Sequence, residues 1–234
     1  MQNKTFGILL YKKIIKENNL FVKILSENDE IITGIVYGGN SSKKKNIYQT
    51  GYSLNLRLSK NNNNSPYAIE SEIGKPFLSS LINDKYKLYC LLSLISIINL
   101  SIIEGQNVKG IFNSVYQFIN KLVTKKRWML FYCIWLFDIL KIIGYEIDYI
   151  SNYNKKYFNV NSLMFTNNQQ NNTFVFPHEY LVGKKKINYN HIESIFFIFE
   201  NIFNNNHLIH SKIQLPVNYL NFKKLILNYL DRNI

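Results

Sequence analysis

The stretch Gly34-Ile35-Val36-Tyr37-Gly38-Gly39-Asn40-Ser41-Ser42-Lys43-Lys44-Lys45 brings three glycines, two serines and three lysines within twelve residues. Two readings of it lead to two folds. If the glycines cradle a nucleotide phosphate, the segment opens a helix and the chain is an α/β enzyme. If they end a strand, the lysines decorate a turn at the rim of a β structure. Gly34 and Gly39 have the GxxxxG spacing of a phosphate-binding loop, but Asn40-Ser41 follows where Lys-Ser/Thr is required. The lysines come too late to reach β- and γ-phosphates, and a strand rather than a helix follows. The segment reads as a glycine turn that ends a strand.

Working outward, the flanking residues repeat a strand pattern. Gly7–Lys13, Leu20–Leu25 and Glu30–Gly38 are short apolar or β-branched runs. Tyr52–Leu58 alternates Leu54, Leu56 and Leu58 with Asn55 and Arg57, the period-2 signature of a half-buried strand. A polar turn, Asn61–Ser65, precedes a fifth run at Tyr67–Ile73. Five short strands without a helical period predict a small closed barrel of the OB-fold kind.

The period changes at Pro76. Helices are expected over Lys85–Ile103, Val108–Val123 and Trp128–Gly144, with Gly144 as a stop signal. Residues 151–186 are Asn-rich and irregular, with strand-like pieces at Tyr157–Val160 and Thr173–Phe176. Amphipathic stretches return at His191–Phe203 and Val217–Leu230. The expected architecture is α+β. An N-terminal five-stranded OB-fold barrel (1–76) precedes an all-helical domain (77–150). The remainder (151–234) is an irregular segment followed by C-terminal helices that pack on the helical domain.

Composition narrows the function classes. The chain has 234 residues, 47% of them apolar, enough for a real core. Its formal charge of +13 suggests an anionic partner. However, 25 of the 28 basic residues are lysines, and Asn, Ile, Tyr and Phe are also abundant, a set with A/T-rich codons. The excess is spread along the chain, so the position of each charge must carry the argument. Cys90 and Cys133 form no CxxC pair and read as buried thiols of a reducing compartment. The apolar run Phe6–Tyr11 is too short for a signal-peptide core, so a cytoplasmic location is expected. Leu88–Ile103 is shorter than the roughly 20 residues a bilayer needs and is interrupted by Ser93, Ser96, Asn99 and Ser101. It reads as a buried helix, and no membrane partner is expected.

No catalytic constellation stands out. His207 and His210 have HxxH spacing, but no cysteine or acidic residue lies near them in sequence. His178 falls in the irregular region and His191 near a helix start. Glu70 and Glu72 share one strand face, and Asp138 could pair with Lys141 one turn on. Neither cofactor nor metal is expected.

The order of short cues resembles the bacterial RecO family of recombination mediators. A barrel strand ends in Gly38-Gly39, Ser41-Ser42-Lys43-Lys44-Lys45 follows, and Gln49 precedes the next strand. The third helix then ends Ile139-Leu140-Lys141-Ile142-Ile143-Gly144-Tyr145. The likeness covers most of residues 5–150 in layout. Three departures stand out. Tyr37 replaces the lysine of the family's Lys-Gly step, and Asn40 replaces a basic residue. Trp135-Leu136-Phe137 replaces its Phe-Glu-Leu step. Many relatives carry a four-cysteine zinc site after the Gly-Tyr step, whereas residues 146–186 contain no cysteine.

The resemblance implies non-enzymatic work. That work is binding single- and double-stranded DNA, annealing complementary strands, and contacting the C-terminal tail of the single-stranded DNA-binding protein SSB. With RecR, it includes helping to load RecA on SSB-coated DNA. On this sequence the expected DNA contacts are Lys43, Lys44 and Lys45, extended by Lys12, Lys13 and Arg57. Tyr37, Tyr48 and Tyr52 are candidate stacking platforms. The expected tail site is Lys125-Lys126-Arg127-Trp128 at the start of the third helix. Two other classes stay open: an OB-fold RNA-binding or adaptor protein without an SSB partner, and a small enzyme whose site lies within 151–186.

Overall fold

A computed structural model describes residues 3–60, 62, 65–209, 211 and 213–233, with the side chains of Asn3, Arg232 and Asn233 left undescribed. Five strands, β1 (Asn3–Ile14), β2 (Leu20–Ser26), β3 (Ile31–Val36), β4 (Ser53–Ser59) and β5 (Tyr67–Ile73), come first. They close into a barrel in the order β1-β2-β3-β5-β4. The expected barrel and its order of parts are thus present. β1 pairs with β2 on one side and, through its first half, with β4 on the other. A register shift between Leu9 and Tyr11 lets one strand bend to serve both partners. β3 and β5 pair in parallel at Gly34–Tyr67 and Ile35–Ala68, which completes the circle.

The alternation in β4 explains the closure. Leu54, Leu56 and Leu58 point inward, while Asn55 and Arg57 are exposed. They join Leu9, Leu20, Val22, Ile24, Ile32, Val36 and Ile69 in one core. That core also takes Tyr48 and Tyr52 from the connection between β3 and β4.

Helices follow: α1 (Phe77–Leu81), α2 (Lys85–Ser101), α3 (Ile111–Thr124) and α4 (Trp128–Ile142). Asp84 caps α2 by accepting a hydrogen bond from the Lys87 amide at 3.1 Å. The start of α3 is capped from the barrel. Asp29, in the β2–β3 turn, accepts hydrogen bonds from the amides of Gly110 (2.8 Å) and Phe112 (2.9 Å). Its own carbonyl accepts from Val108 at 2.9 Å. Phe6 meets Phe112 and Tyr116 edge-on at 5.9 and 5.8 Å. The end of α4 explains its Gly-Tyr cue. Gly144 has φ +101, a conformation glycine adopts without strain. Its amide donates to Lys141 and that of Tyr145 to Leu140, closing a Schellman motif.

The expected irregular segment holds more order than its sequence suggests. β6 (Tyr157–Asn159), β7 (Met164–Thr166) and β8 (Thr173–Val175) form a three-stranded sheet in the order β7-β6-β8. Phe158, Phe165 and Phe176 pack beneath it at 4.9–5.8 Å between rings. Then come α5 (His178–Leu181), α6 (Tyr189–Ile202), a π-helical turn at Phe203–His207, and α7 (Val217–Asn233). α4, α6 and α7 share a core through Tyr132, Phe196 and Phe222, with Tyr132–Phe222 at 4.9 Å. A half-buried ion pair, Lys223–Glu200 at 2.7 Å, ties α7 to α6.

The chain divides into two compact units, residues 1–119 and 120–234. Among the described residues no helix is long and apolar enough to cross a membrane. Leu88–Ile103 falls largely within α2, where Cys90, Leu91, Leu94, Ile95, Ile97 and Ile98 are buried.

Candidate functional site

The connection between β3 and β4 is built residue by residue around the glycine pair. Gly38 has φ +63 and its amide donates to Asn19 Oδ1 at 2.8 Å, while the Asn40 amide donates to the Asn18 carbonyl at 2.8 Å. These bonds tie the turn after β3 to the one before β2. The next residues wind into a tight turn, with the amides of Lys44 and Lys45 both donating to the Ser41 carbonyl. Lys43, Lys44 and Lys45 are all exposed on it. Lys44 Nζ donates to the Tyr37 carbonyl at 3.3 Å.

Beneath the turn lies an unexpected tether. Lys12 Nζ donates to the Tyr48 carbonyl at 2.6 Å and to Gln49 Oε1 at 3.2 Å. Gln49 Nε2 in turn donates to the Lys45 carbonyl at 2.8 Å. Burial holds the Lys12 ammonium below the usual lysine range. Lys12 therefore supports the lysine turn from below, and its charge is directed at protein oxygens. Lys13, the next residue of β1, is exposed.

The three tyrosines part company. Tyr37 is 60% exposed beside the lysines, whereas Tyr48 and Tyr52 retain 1% and 8% exposure inside the barrel. The Tyr52 hydroxyl shares a hydrogen bond with Ser79 Oγ. Stacking against a ligand is closed to both, because the segment between β3 and β4 turns these rings inward to fill the barrel mouth.

Arg57 lies on an outer face of mixed charge. It pairs in register with Lys4 on β1 and Glu70 on β5, and its guanidinium is 3.6 Å from Glu72. An open groove of about 680 Å³ runs past Lys4, Lys44 and Arg57, but Glu27, Glu70 and Glu72 line it too. The structure thus brings Lys43, Lys44, Lys45 and Tyr37 together, and it balances Arg57 with carboxylates.

In the second unit Lys125, Lys126 and Arg127 are exposed at the start of α4. Arg127 Nη2 donates to the Gly183 carbonyl at 3.2 Å, and half-buried Trp128 packs on Phe222 of α7 at 6.3 Å. The indole is thereby partly engaged within the fold.

The candidate chemical groups resolve as follows. His178 is buried, its Nδ1 3.1 Å from the Tyr149 carbonyl and its Nε2 2.8 Å from that of Lys155. His191 stacks on Tyr180 at 5.6 Å. Desolvation lowers the proton affinity of both imidazoles. His207 packs against Phe203 at 5.0 Å, and His210 lies outside the described residues. Lys141 pairs with Glu146 at 2.5 Å rather than with Asp138. Among the described residues no cluster of three His, Cys, Asp or Glu side chains could hold a metal ion.

No family model matches the chain. It is 27% identical over 148 residues to a Rickettsia canadensis protein named DNA repair protein RecO, covering 63% of this chain and 61% of that one. Proteins of the same name from Rickettsia bellii and Rickettsia akari are each 26% identical. Those matches cover 64% and 63% of this chain and 61% and 62% of theirs. The resemblance to RecO read from the short cues is borne out by these relatives. The chain matches about three fifths of their length.

Proposed function

We propose that this chain is a DNA-binding recombination mediator that acts in DNA repair without catalysing a reaction. In this reading it binds single- and double-stranded DNA, anneals complementary strands and helps load RecA on SSB-coated DNA. The observation that carries the proposal is the exposed Lys43–Lys45 turn on a closed five-stranded barrel, beside the exposed ring of Tyr37. Exposed ammonium groups there neutralise backbone phosphates and release counterions without reading bases. Tyr37 offers a face on which one base stacks. Lys13 extends the basic surface along β1. The similarity to proteins named DNA repair protein RecO supports the same role.

SSB, through its acidic tail, and RecR are the partners this role requires. The tail site falls at Lys125, Lys126, Arg127 and Trp128, where three exposed cations precede a half-buried indole. A cytoplasmic location accompanies the role.

The test is the variant K43A/K44A/K45A. Each single-strand phosphate that the protein ceases to neutralise flattens the log-affinity versus log-salt slope by about 0.7, so three such phosphates remove about two units. Annealing of SSB-coated oligonucleotides should slow in parallel, with the melting temperature unchanged. An unchanged slope together with an unchanged annealing rate would falsify the assignment.

A further inference from the structure

The second unit carries a cleft of about 820 Å³ that the proposed barrel surface does not involve. Two lysine-bearing loops, separated in sequence, converge on it. Lys155 and Lys156 line one wall beside Tyr153, and Lys185 lines another. Lys184 and Lys186 flank Lys185 and are exposed. The loops meet where Lys184 Nζ lies 4.9 Å from the centre of the Tyr153 ring and 3.5 Å from its hydroxyl. Tyr153 keeps 37% of its surface exposed. Phe174, Val175 and Pro177 supply an apolar floor.

The cleft's acidic groups are largely engaged. Glu179 is paired with Lys185, which holds its carboxyl below the usual range. Glu193 accepts a hydrogen bond from the Tyr189 hydroxyl at 2.8 Å. Lys155, Lys156, Lys184 and Lys186 thus outnumber the carboxylates. The imidazoles are not placed for catalysis, since His178 is fixed between two carbonyls and His191 is stacked on Tyr180.

We propose that this cleft is a second nucleic-acid surface, holding the sugar-phosphate backbone of a single strand on its lysines with one base against Tyr153. It rests on the proposed function for the class of ligand alone. General lysine enrichment accounts for isolated charges. It does not account for two separate runs meeting around an exposed ring. Lysines spread over two loops suit a line of phosphates, each met by a point charge. The neighbouring Arg127 directs its guanidinium to the Gly183 carbonyl.

The experiment measures a fluorescein-labelled oligothymidylate across a salt series, with thermal melting of each variant as a folding control. K155Q/K156Q/K184Q/K186Q should flatten the log–log slope by about 0.7 for each phosphate it no longer neutralises. Y153L should weaken binding at least about fivefold and leave the slope intact, because stacking releases no counterions. If the quadruple variant melts early, K156Q, K184Q and K186Q are read singly by the same criterion. Wild-type slope and affinity in the cleft variants overturn the inference. If they persist there while K43A/K44A/K45A flattens the slope, the cleft alone fails and the barrel reading stands. If both sets keep wild-type behaviour, both readings fail. Loss of binding to a labelled glutamate-rich peptide, with oligothymidylate binding retained, also overturns it and makes the cleft a peptide surface.

Discussion

The ammonium of Lys12 lies 2.6 Å from the carbonyl oxygen of Tyr48, across 36 residues of chain. One end of that bond is in the first barrel strand and the other in the segment that follows the lysine turn. Through Gln49 the same ammonium reaches the carbonyl of Lys45. The turn that presents three cations is thus itself held by a fourth.

Replacing Lys12 by methionine keeps the aliphatic stem and removes the donor. Net stability should fall by about 1–3 kcal/mol, the scale of two hydrogen bonds from a half-exposed group. Affinity for a single-stranded oligonucleotide should fall as the turn loosens. The salt slope should change by less than the roughly 0.7 units that mark one phosphate. Melting curves and a salt titration of K12M give both readings. A full unit removed from the slope would place Lys12 on the phosphate chain after all.

Tyr37 and Tyr48 should respond in opposite ways. Y37A removes an exposed ring, so the melting temperature should hold while binding weakens by roughly 1–3 kcal/mol if one base is stacked. Y48A empties part of the barrel core and should cost roughly 3–5 kcal/mol of stability, the range for large aromatic truncations. Chemical denaturation and oligonucleotide binding, measured on both variants, separate the two roles.

Acid should loosen the second unit through its histidines. A neutral imidazole has one N–H, so His178 donates to only one of the two carbonyls that face it; protonation would satisfy both, but the cost of burying the charge outweighs that gain. Burial holds His178 and His191 below their unperturbed value of 6.5. Just under that pH the unfolded chain therefore binds more protons than the folded one. Their contribution to stability is whole above about 6.5 and is lost as the pH falls from there toward the lowered values. Urea midpoints at about pH 7.5 and 5.5 should differ, and the H178N/H191N variant should narrow the gap. A gap as wide as in the parent protein would assign the acid sensitivity to other groups.

Chelator-washed protein should contain no stoichiometric zinc by elemental analysis. Cys90 and Cys133 are both buried, and desolvation pushes the Cys133 thiol far up, away from the thiolate that a metal requires. One equivalent of retained zinc would contradict this.

The barrel is legible in the sequence because its strands obey a local rule. Leu54, Leu56 and Leu58 alternate with polar residues, and the inward set can be read off before any partner is known. Gly144-Tyr145 is legible for a similar reason, since a helix end with φ > 0 selects glycine. The three strands of the second sheet have three residues each, too few for a period. Tyr157–Asn159 and Thr173–Val175 are legible from aromatic and β-branched residues, whereas Met164–Thr166, opening on a methionine, is not. Tyr52 stands in phase with Leu54, Leu56 and Leu58, so the same period turns it inward, whereas Tyr48 lies outside any period and only barrel closure buries it. The tether of Lys12 and the meeting of Tyr153 with Lys184 depend on residues 36 and 31 positions apart, a separation over which sequence periodicity is silent.

The cap that Asp29 places on α3 joins a hairpin tip to a helix 81 residues downstream. Helix ends ordinarily fray, and their first amides exchange hydrogen readily with solvent. Here the amides of Gly110 and Phe112 are sealed by a carboxylate whose position is set by β2 and β3. Their deuterium uptake should therefore follow the opening of the hairpin instead of the breathing of α3. Two amides outside the barrel thus become reporters of how often its β2–β3 edge comes apart.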